Sequence, residues 1–342
     1  MAGQTERLSE LAAGPLEGSG LQRDQALELL ALAQRDPWAV LYQANRLRQR
    51  QRGQVVRLCS IVAAKVGRCP QDCKWCSQSA RHRTSIQPHG LLETGELLAQ
   101  ARRAAEGGAD SFGLVTSGAS PTSDELDRLC GVIAQLRAEG RLVPCASLGM
   151  LDEQDARKLA AAGCRRYNHN LETSPRYYPQ VVTTHGFEQR AATARAVKAA
   201  GMELCCGGLF GLGETWLDRV DLALEIRRLD ADTVPVNFLN PIPGTPLADA
   251  PRLPPLECLV IIALMRFMLP TKCIKVAGGR EVNLRDLQSW MFYAGADGCI
   301  LGNYLTTPGR AAREDLQLIA DLGLRPAAAA LPAAAPAGQL RP

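Results

Sequence analysis

Cys69-Pro70-Gln71-Asp72-Cys73-Lys74-Trp75-Cys76 follows closely on a short apolar run at residues 58–64, and the way these two segments adjoin decides the fold. The run contains β-branched residues and reads as a buried strand. The cysteines after it have C-x3-C-x2-C spacing. That spacing is too tight for a strand ladder and too irregular for one helix face, so the segment is a loop curled around something. Soft thiolate ligands on a compact loop suit an iron–sulfur centre or zinc. Structural zinc normally needs a fourth close Cys or His, and the nearest, His82, is not at finger-like spacing. Three ligands on a four-iron cluster leave one iron open to a small molecule.

Outward from this loop a regular alternation runs through the chain. Candidate strands lie at 58–64, 111–116, 142–147, 166–170, 203–207, 233–238, 273–277 and 298–302. Helical periodicity falls between them, near 93–106, 122–138, 152–162, 186–200, 215–228, 256–269, 283–293 and 311–322. A doubly wound open sheet would carry a glycine fingerprint after its first strand; the cysteine loop stands there instead. The expected fold class is therefore α/β, a TIM-type (β/α)8 barrel over residues 53–325. Residues 1–52 are expected to form an N-terminal helical extension. Its apolar stripe is Leu27, Leu29, Leu30, Leu32 and Ala33, continued by Trp38, Val40, Leu41 and Leu47. Residues 1–20, rich in Gly, Ser and Glu, are expected to be loosely held. The Ala/Pro-rich tail, 326–342, is expected to be disordered.

A net charge of +4 is too small to argue for nucleic acid or an acidic membrane surface. No apolar run reaches the ~20 residues needed to span a bilayer, and the first residues lack the apolar core of a signal peptide. A cytoplasmic protein is expected. In that setting 12 cysteines point to metal or redox chemistry, not to a disulfide framework.

In a barrel the loop after the first strand lies at the C-terminal face, where barrel enzymes place their sites. Strand four ends Tyr167-Asn168-His169-Asn170-Leu171-Glu172. Alternation turns Asn168, Asn170 and Glu172 to one side, and three polar groups in a barrel mouth need partners. One reading is a satisfied polar layer. The other is a ligand site, with a carboxylate for a ribose diol and amides for an amino acid or substrate. His169 points the other way and reads as structural. Asn237 on strand six points where Asn168 does. Pro235 beside it gives up a ladder donor and needs a special reason. Of Cys205 and Cys206, only one can face the interior.

The C-x3-C-x2-C motif resembles that of the radical S-adenosylmethionine (SAM) enzymes. With RYNHNLETS, CGGLFGLGET, VPVNFLNPIPGTPL, AGGRE and LGNYLTTPGR, the chain resembles the biotin synthase family over about residues 36–325. The resemblance implies that Cys69, Cys73 and Cys76 hold a [4Fe–4S] cluster. It implies that Asn170, Glu172, Arg190 and Asn237 contact SAM, and that Asn168 and Asn237 sit beside dethiobiotin. Many relatives have Asp where Glu172 stands. A 5′-deoxyadenosyl radical would abstract hydrogen, and an auxiliary cluster would donate sulfur to make biotin. A flavodoxin- or ferredoxin-type electron donor and a homodimer are further implications. Nucleic-acid and membrane partners are not expected.

The family's usual auxiliary cluster is [2Fe–2S], held by three cysteines and one arginine. Cys145 and Cys205 match two of these positions; Gly113 and Lys275 stand at the others. Glycine has no ligand, and lysine does not replace a guanidinium. Cys59, on strand one, can complete a set with Cys145 and Cys205, since alternate barrel strands supply one interior layer. That set is expected to bind a cluster other than the two-iron type. The competing reading makes Cys59 a small buried hydrophobe. The remaining cysteines, Cys130, Cys164, Cys206, Cys258, Cys273 and Cys299, read as structural. Two other functions fit the loop motif alone: another barrel radical SAM enzyme, of hydrogenase-maturation or aminomutase type, or a non-catalytic iron–sulfur protein for electron transfer or sensing.

Overall fold

The computed structural model describes residues 2–328. Three helices lead the chain: α1 (Ala2–Leu16), α2 (Arg23–Arg35) and α3 (Pro37–Arg52). Pro37 opens α3 at a position whose N–H has no helical partner, and Asp36 caps it by accepting from Ala39 N at 3.1 Å. Residues 2–16, within the stretch expected to be loosely held, form a packed helix instead. Leu8, Leu11 and Ala12, at i, i+3 and i+4, form one buried face of α1. The polar residues between them mask that stripe in composition.

Then come β1 (Val55–Lys65), α4 (Thr94–Glu106), β2 (Ser111–Thr116), α5 (Ser123–Glu139), β3 (Val143–Ser147), α6 (Glu153–Ala162) and β4 (Arg166–Asn168). They are followed by α7 (Phe187–Ala199), β5 (Glu203–Cys205), β6 (Gly208–Phe210), α8 (Trp216–Arg228), β7 (Thr233–Phe238), α9 (Pro255–Met268) and β8 (Cys273–Val276). The last elements are α10 (Arg280–Leu284), α11 (Trp290–Tyr293), β9 (Gly298–Ile300), α12 (Ala312–Asp321) and β10 (Arg325–Pro326). The strands are parallel and neighbour one another in chain order. β1 closes the sheet on β9, with Arg57 opposite Gly298 and Cys59 opposite Ile300. This is the expected (β/α)8 barrel, β5 and β6 together filling one strand position.

Pro235 explains that split. It has no N–H to give, and the chain leaves the ladder opposite it, at Cys206 and Gly207, before β6 resumes on β7. A Cβ on Gly207 would come within 1.9 Å of Pro235 O, so the kink requires glycine. The helix expected over 283–293 is also broken. The buried Asn283 donates to Leu239 O and Gly279 O, each at 2.9 Å, and accepts from Leu253 N at 2.9 Å. It thereby anchors a short α10 that stops at Arg285, whose φ is 51°.

The extension is integral to the core. Every residue of α9 from Cys258 to Met268 is buried, the signature of a helix covered on all sides. The inner side meets the barrel, and α1 to α3 cover the outer side. Leu21 N donates to Phe267 O at 3.2 Å, and Arg52 pairs with Asp297 at 2.7 Å. Arg325 and Pro326 pair with Val55 and Val56, so residue 326 is part of the sheet and not of a loose tail. The rest of the disorder expected at 326–342 falls, from residue 329 on, outside the described residues.

Candidate functional site at the barrel mouth

A cavity of about 320 Å³ opens at the C-terminal ends of the strands and runs down the barrel axis. Trp75 and Cys76 border it at the rim; Asn168, Asn170, Glu172 and Asn237 line its wall; Cys59, Cys145, Cys205 and Lys275 line its floor.

The cysteine loop is held by a side-chain clamp. Asp72 accepts from Thr183 N (3.0 Å), Thr184 N (3.2 Å), Thr184 Oγ1 (2.9 Å) and Thr183 Oγ1. Burial works against the carboxylate, but these bonds from Thr183 and Thr184 outweigh it and hold Asp72 well below the usual range. Lys74 N donates to Val181 O at 3.0 Å. His185 joins Gln71 (Nδ1 to Oε1, 2.8 Å) to Tyr178 (Nε2 to the hydroxyl, 2.9 Å). Burial, then the nearby Arg190, push His185 down to about 4, so it is neutral.

The loop thiols stand near one another and near Glu172. Burial, then Cys76, push Cys73 up to about 12; burial pushes Cys76 up to about 11. Ligation requires thiolates, so these groups fit a partner with substantial positive charge of its own, as cluster irons have. Among the described residues no three His, Cys, Asp or Glu side chains converge on a single metal ion. A four-iron cluster spreads its ligands around a larger body.

Glu172 turns into the cavity on a strained backbone, with φ 70°. Gly208 makes room: a Cβ there would lie 2.9 Å from Glu172 O. Burial raises the Glu172 carboxyl, and Arg190, 3.4 Å away, opposes that. Arg190 does not line the cavity. It stands behind Glu172, and its Nε donates to Asn170 O at 2.5 Å. Asn237 lines the cavity, yet its amide is committed to Gly208 O and Gly278 N, each at 3.0 Å. Asn168 alone of these amides makes no hydrogen bond among the described residues, leaving both its donor and acceptor for a ligand. His169 is buried outside the lining, and of the adjacent pair only Cys205 faces the interior.

On the floor the register sets Gly113 opposite Cys145, Cys145 opposite Arg166, and Asn168 opposite Cys205. A Cβ on Gly113 would meet Ile61 Cγ2 at 3.1 Å and Cys145 Cβ at 4.0 Å. Lys275 Nζ lies 3.6 Å from Cys205 Sγ. Burial raises the Cys205 thiol, and Lys275 and Arg166 oppose that. Cys59 is close enough to act electrostatically on Cys145, Cys205 and Lys275 alike. The structure thus brings Cys59, Cys145 and Cys205 around one space.

Two groups escaped the sequence reading. Arg166 lies two residues before Asn168, so simple alternation would have turned it inward. Tyr304 to Thr307 cover one side of the mouth, and Ser77 Oγ meets Thr306 Oγ1 at 3.1 Å. No periodicity marks that loop.

Residues 65–226 match the Radical SAM superfamily, and residues 235–325 match the Biotin and Thiamin Synthesis associated domain. The chain is 50% identical over 310 residues to a biotin synthase of Geobacter sulfurreducens, covering 90% of this chain and 94% of the relative. It is 48% identical over 318 residues to that of Trichlorobacter lovleyi, covering 93% and 96%. Its fold is similar to that of methylornithine synthase, with TM-score 0.78 at 20% identity over 93% of this chain and 97% of that one. The FeFe-hydrogenase maturase HydG of Carboxydothermus hydrogenoformans gives TM-score 0.78 at 20% identity, covering 94% and 79%. At such identity the two structures share the fold alone.

Proposed function

This chain belongs to the biotin synthase family, and from that premise we propose that it converts dethiobiotin to biotin by radical SAM-dependent sulfur insertion, the last step of biotin biosynthesis. One observation carries the reading: a single cavity has a cysteine loop at its rim and three more cysteines on its floor, with an uncommitted amide, Asn168, between them. A substrate held there lies between a radical source and a sulfur source.

Cys69, Cys73 and Cys76 hold the [4Fe–4S] cluster. With SAM it supplies hydrogen-atom abstraction from unactivated carbon. The chain's own residues position and shield. Glu172, set by Arg190 and Asn170, takes the ribose diol of SAM. Asn168 pairs its amide with the ureido group of dethiobiotin, whose carbonyl accepts and whose N–H groups donate. Asn237 fixes the backbones at Gly208 and Gly278 so that the mouth keeps its shape around SAM and substrate. Tyr304 to Thr307 cover the opening and limit water.

Cys59, Cys145 and Cys205 hold the auxiliary cluster. Gly113 lines the cavity beside Cys145 without contributing a ligand, so a set completed by Cys59 suits a cluster other than the usual [2Fe–2S]. Lys275 offers positive charge to it. A flavodoxin- or ferredoxin-type protein supplies electrons, and the enzyme works as a cytoplasmic homodimer. Among the described residues no helix is long and apolar enough to cross a membrane.

The test is anaerobic incubation of reconstituted protein with SAM, reductant and dethiobiotin. Biotin and 5′-deoxyadenosine should appear together. Deoxyadenosine without biotin would overturn the sulfur-insertion reading, and absence of both would overturn radical chemistry altogether.

A further inference from the structure

The N-terminal end of a barrel is ordinarily plugged by bulky branched side chains. Here Ser111, Thr233 and Cys273 occupy inward positions at that end, and a second cavity of about 160 Å³ lies among them. That is room for several small molecules, since a water takes roughly 30 Å³ in the liquid. The cavity shares Cys59, Arg166 and Lys275 with the front cavity. Cys59, one of the candidate auxiliary ligands, thus forms with Arg166 and Lys275 a partition reached from both ends of the barrel.

Charge in the rear cavity is unbalanced. Arg52 is paired with Asp297, Arg166 with Glu203, and Asp232 with Lys198. Arg57 and Lys275 have no carboxylate partner among the described residues. Lys275 is 6% exposed, and its one hydrogen bond goes to the Cys205 thiol. An unpaired ammonium at the inner end and an unpaired guanidinium nearer the opening attract a small monoanion. Thiols of Cys59 and Cys273 line the way, a surface suited to a soft one.

We propose that the N-terminal end of the barrel is an entry for a small soft monoanion, hydrosulfide, that recharges the auxiliary site without passing the mouth. The inference rests on the sulfur-insertion reading above, in which each product carries away a sulfur atom. Hydrosulfide already has sulfur at the oxidation level of cluster sulfide, so the passage needs no electron source, and no bond is made or broken along it. The mouth can then stay closed over SAM and dethiobiotin while the far side is replenished.

The test follows uptake of radiolabelled sulfide, with ferrous iron, into the auxiliary site of full-length enzyme after a single turnover. Arg57→Glu should slow uptake about tenfold by reversing the attraction at the entrance, and saturating SAM and dethiobiotin should leave the wild-type rate unchanged. Wild-type uptake in Arg57→Glu, or arrest by a filled mouth, overturns the proposal. If Arg57→Glu does not fold, Arg57→Gln replaces it, with a smaller slowing expected. Iodide soaked into crystals gives a second readout, independent of activity. Anomalous density should lie between Arg57 and Lys275, and its absence also overturns the proposal. A protein that takes iodide there but makes no biotin would refute the enzymatic reading instead.

Discussion

The cysteines at the rim and those on the floor are held in opposite ways. Cys69, Cys73 and Cys76 sit on a loop with no ladder of its own. Its shape depends on Asp72, Gln71 and the partners these find in residues 178–185. Cys59, Cys145 and Cys205 sit within parallel strands, fixed by the barrel's own hydrogen bonds. A loop centre can therefore be loosened by a neighbour that touches no iron, whereas a strand centre changes only when its own lining changes.

The largest test of this contrast removes one of the proposed rim ligands. Cys69→Ala should abolish SAM cleavage, read as deoxyadenosine, while floor iron is retained; loss of both irons together would mean that the two centres are not independent. Next is Cys59→Ala. Auxiliary iron and sulfide should fall to background with the rim cluster intact, and unchanged auxiliary iron by elemental analysis and Mössbauer spectroscopy would return Cys59 to being a buried hydrophobe. Glu172→Gln leaves Arg190 buried without its counter-charge. A cost of about 2 kcal/mol, roughly 30-fold in KM for SAM, is expected, and an unchanged KM would remove Glu172 from the SAM site.

Smaller effects separate clamp from ladder. Asp72→Ala removes a charged acceptor of several bonds at a half-buried position. A loss of about 1.5 kcal/mol, near tenfold faster release of rim iron to a chelator, is expected, with floor iron released at the wild-type rate. Equal acceleration at both centres would argue against a local clamp. The smallest effect is on pH. His185 sits near 4 in the fold and near its ordinary value of about 6.5 when unfolded. Between these values the unfolded chain binds more protons, so stability falls as pH drops through that window. Thermal midpoints of the apoprotein should show this slope, and His185→Gln should flatten it. Identical slopes would mean that His185 is not buried neutral.

What was legible in the sequence divides along the same line. The ladder was legible: alternation placed the strands and turned Asn168 into the cavity, because a period of two leaves a side chain no choice of face. Asn170 and Glu172 also line it, but they lie beyond β4, and Glu172 enters on left-handed backbone. The clamp was not, since Asp72 meets Thr183 and Thr184 across 111 and 112 residues, a contact no local pattern encodes. The placement of Arg190 was not legible, for the same reason. Its helix could be read, but not that Asn170 and Glu172 stand between it and the cavity. α1 was missed through composition, where three apolar residues in register outweigh the polar ones between them.

The grip of the extension on the far end of the chain has a consequence for how the protein is made. The faces of α1 to α3 are not fully covered until α9 and Asp297 exist. During synthesis these helices wait roughly 240 residues, about 12 to 50 seconds at usual elongation rates, with part of their apolar surface bare. The first residues to leave the ribosome are thus among the last to settle. A nascent chain halted before β9 exposes both the open seam of β1 and an unclasped set of helices, which marks it as unfinished to any chaperone or protease that binds apolar surface.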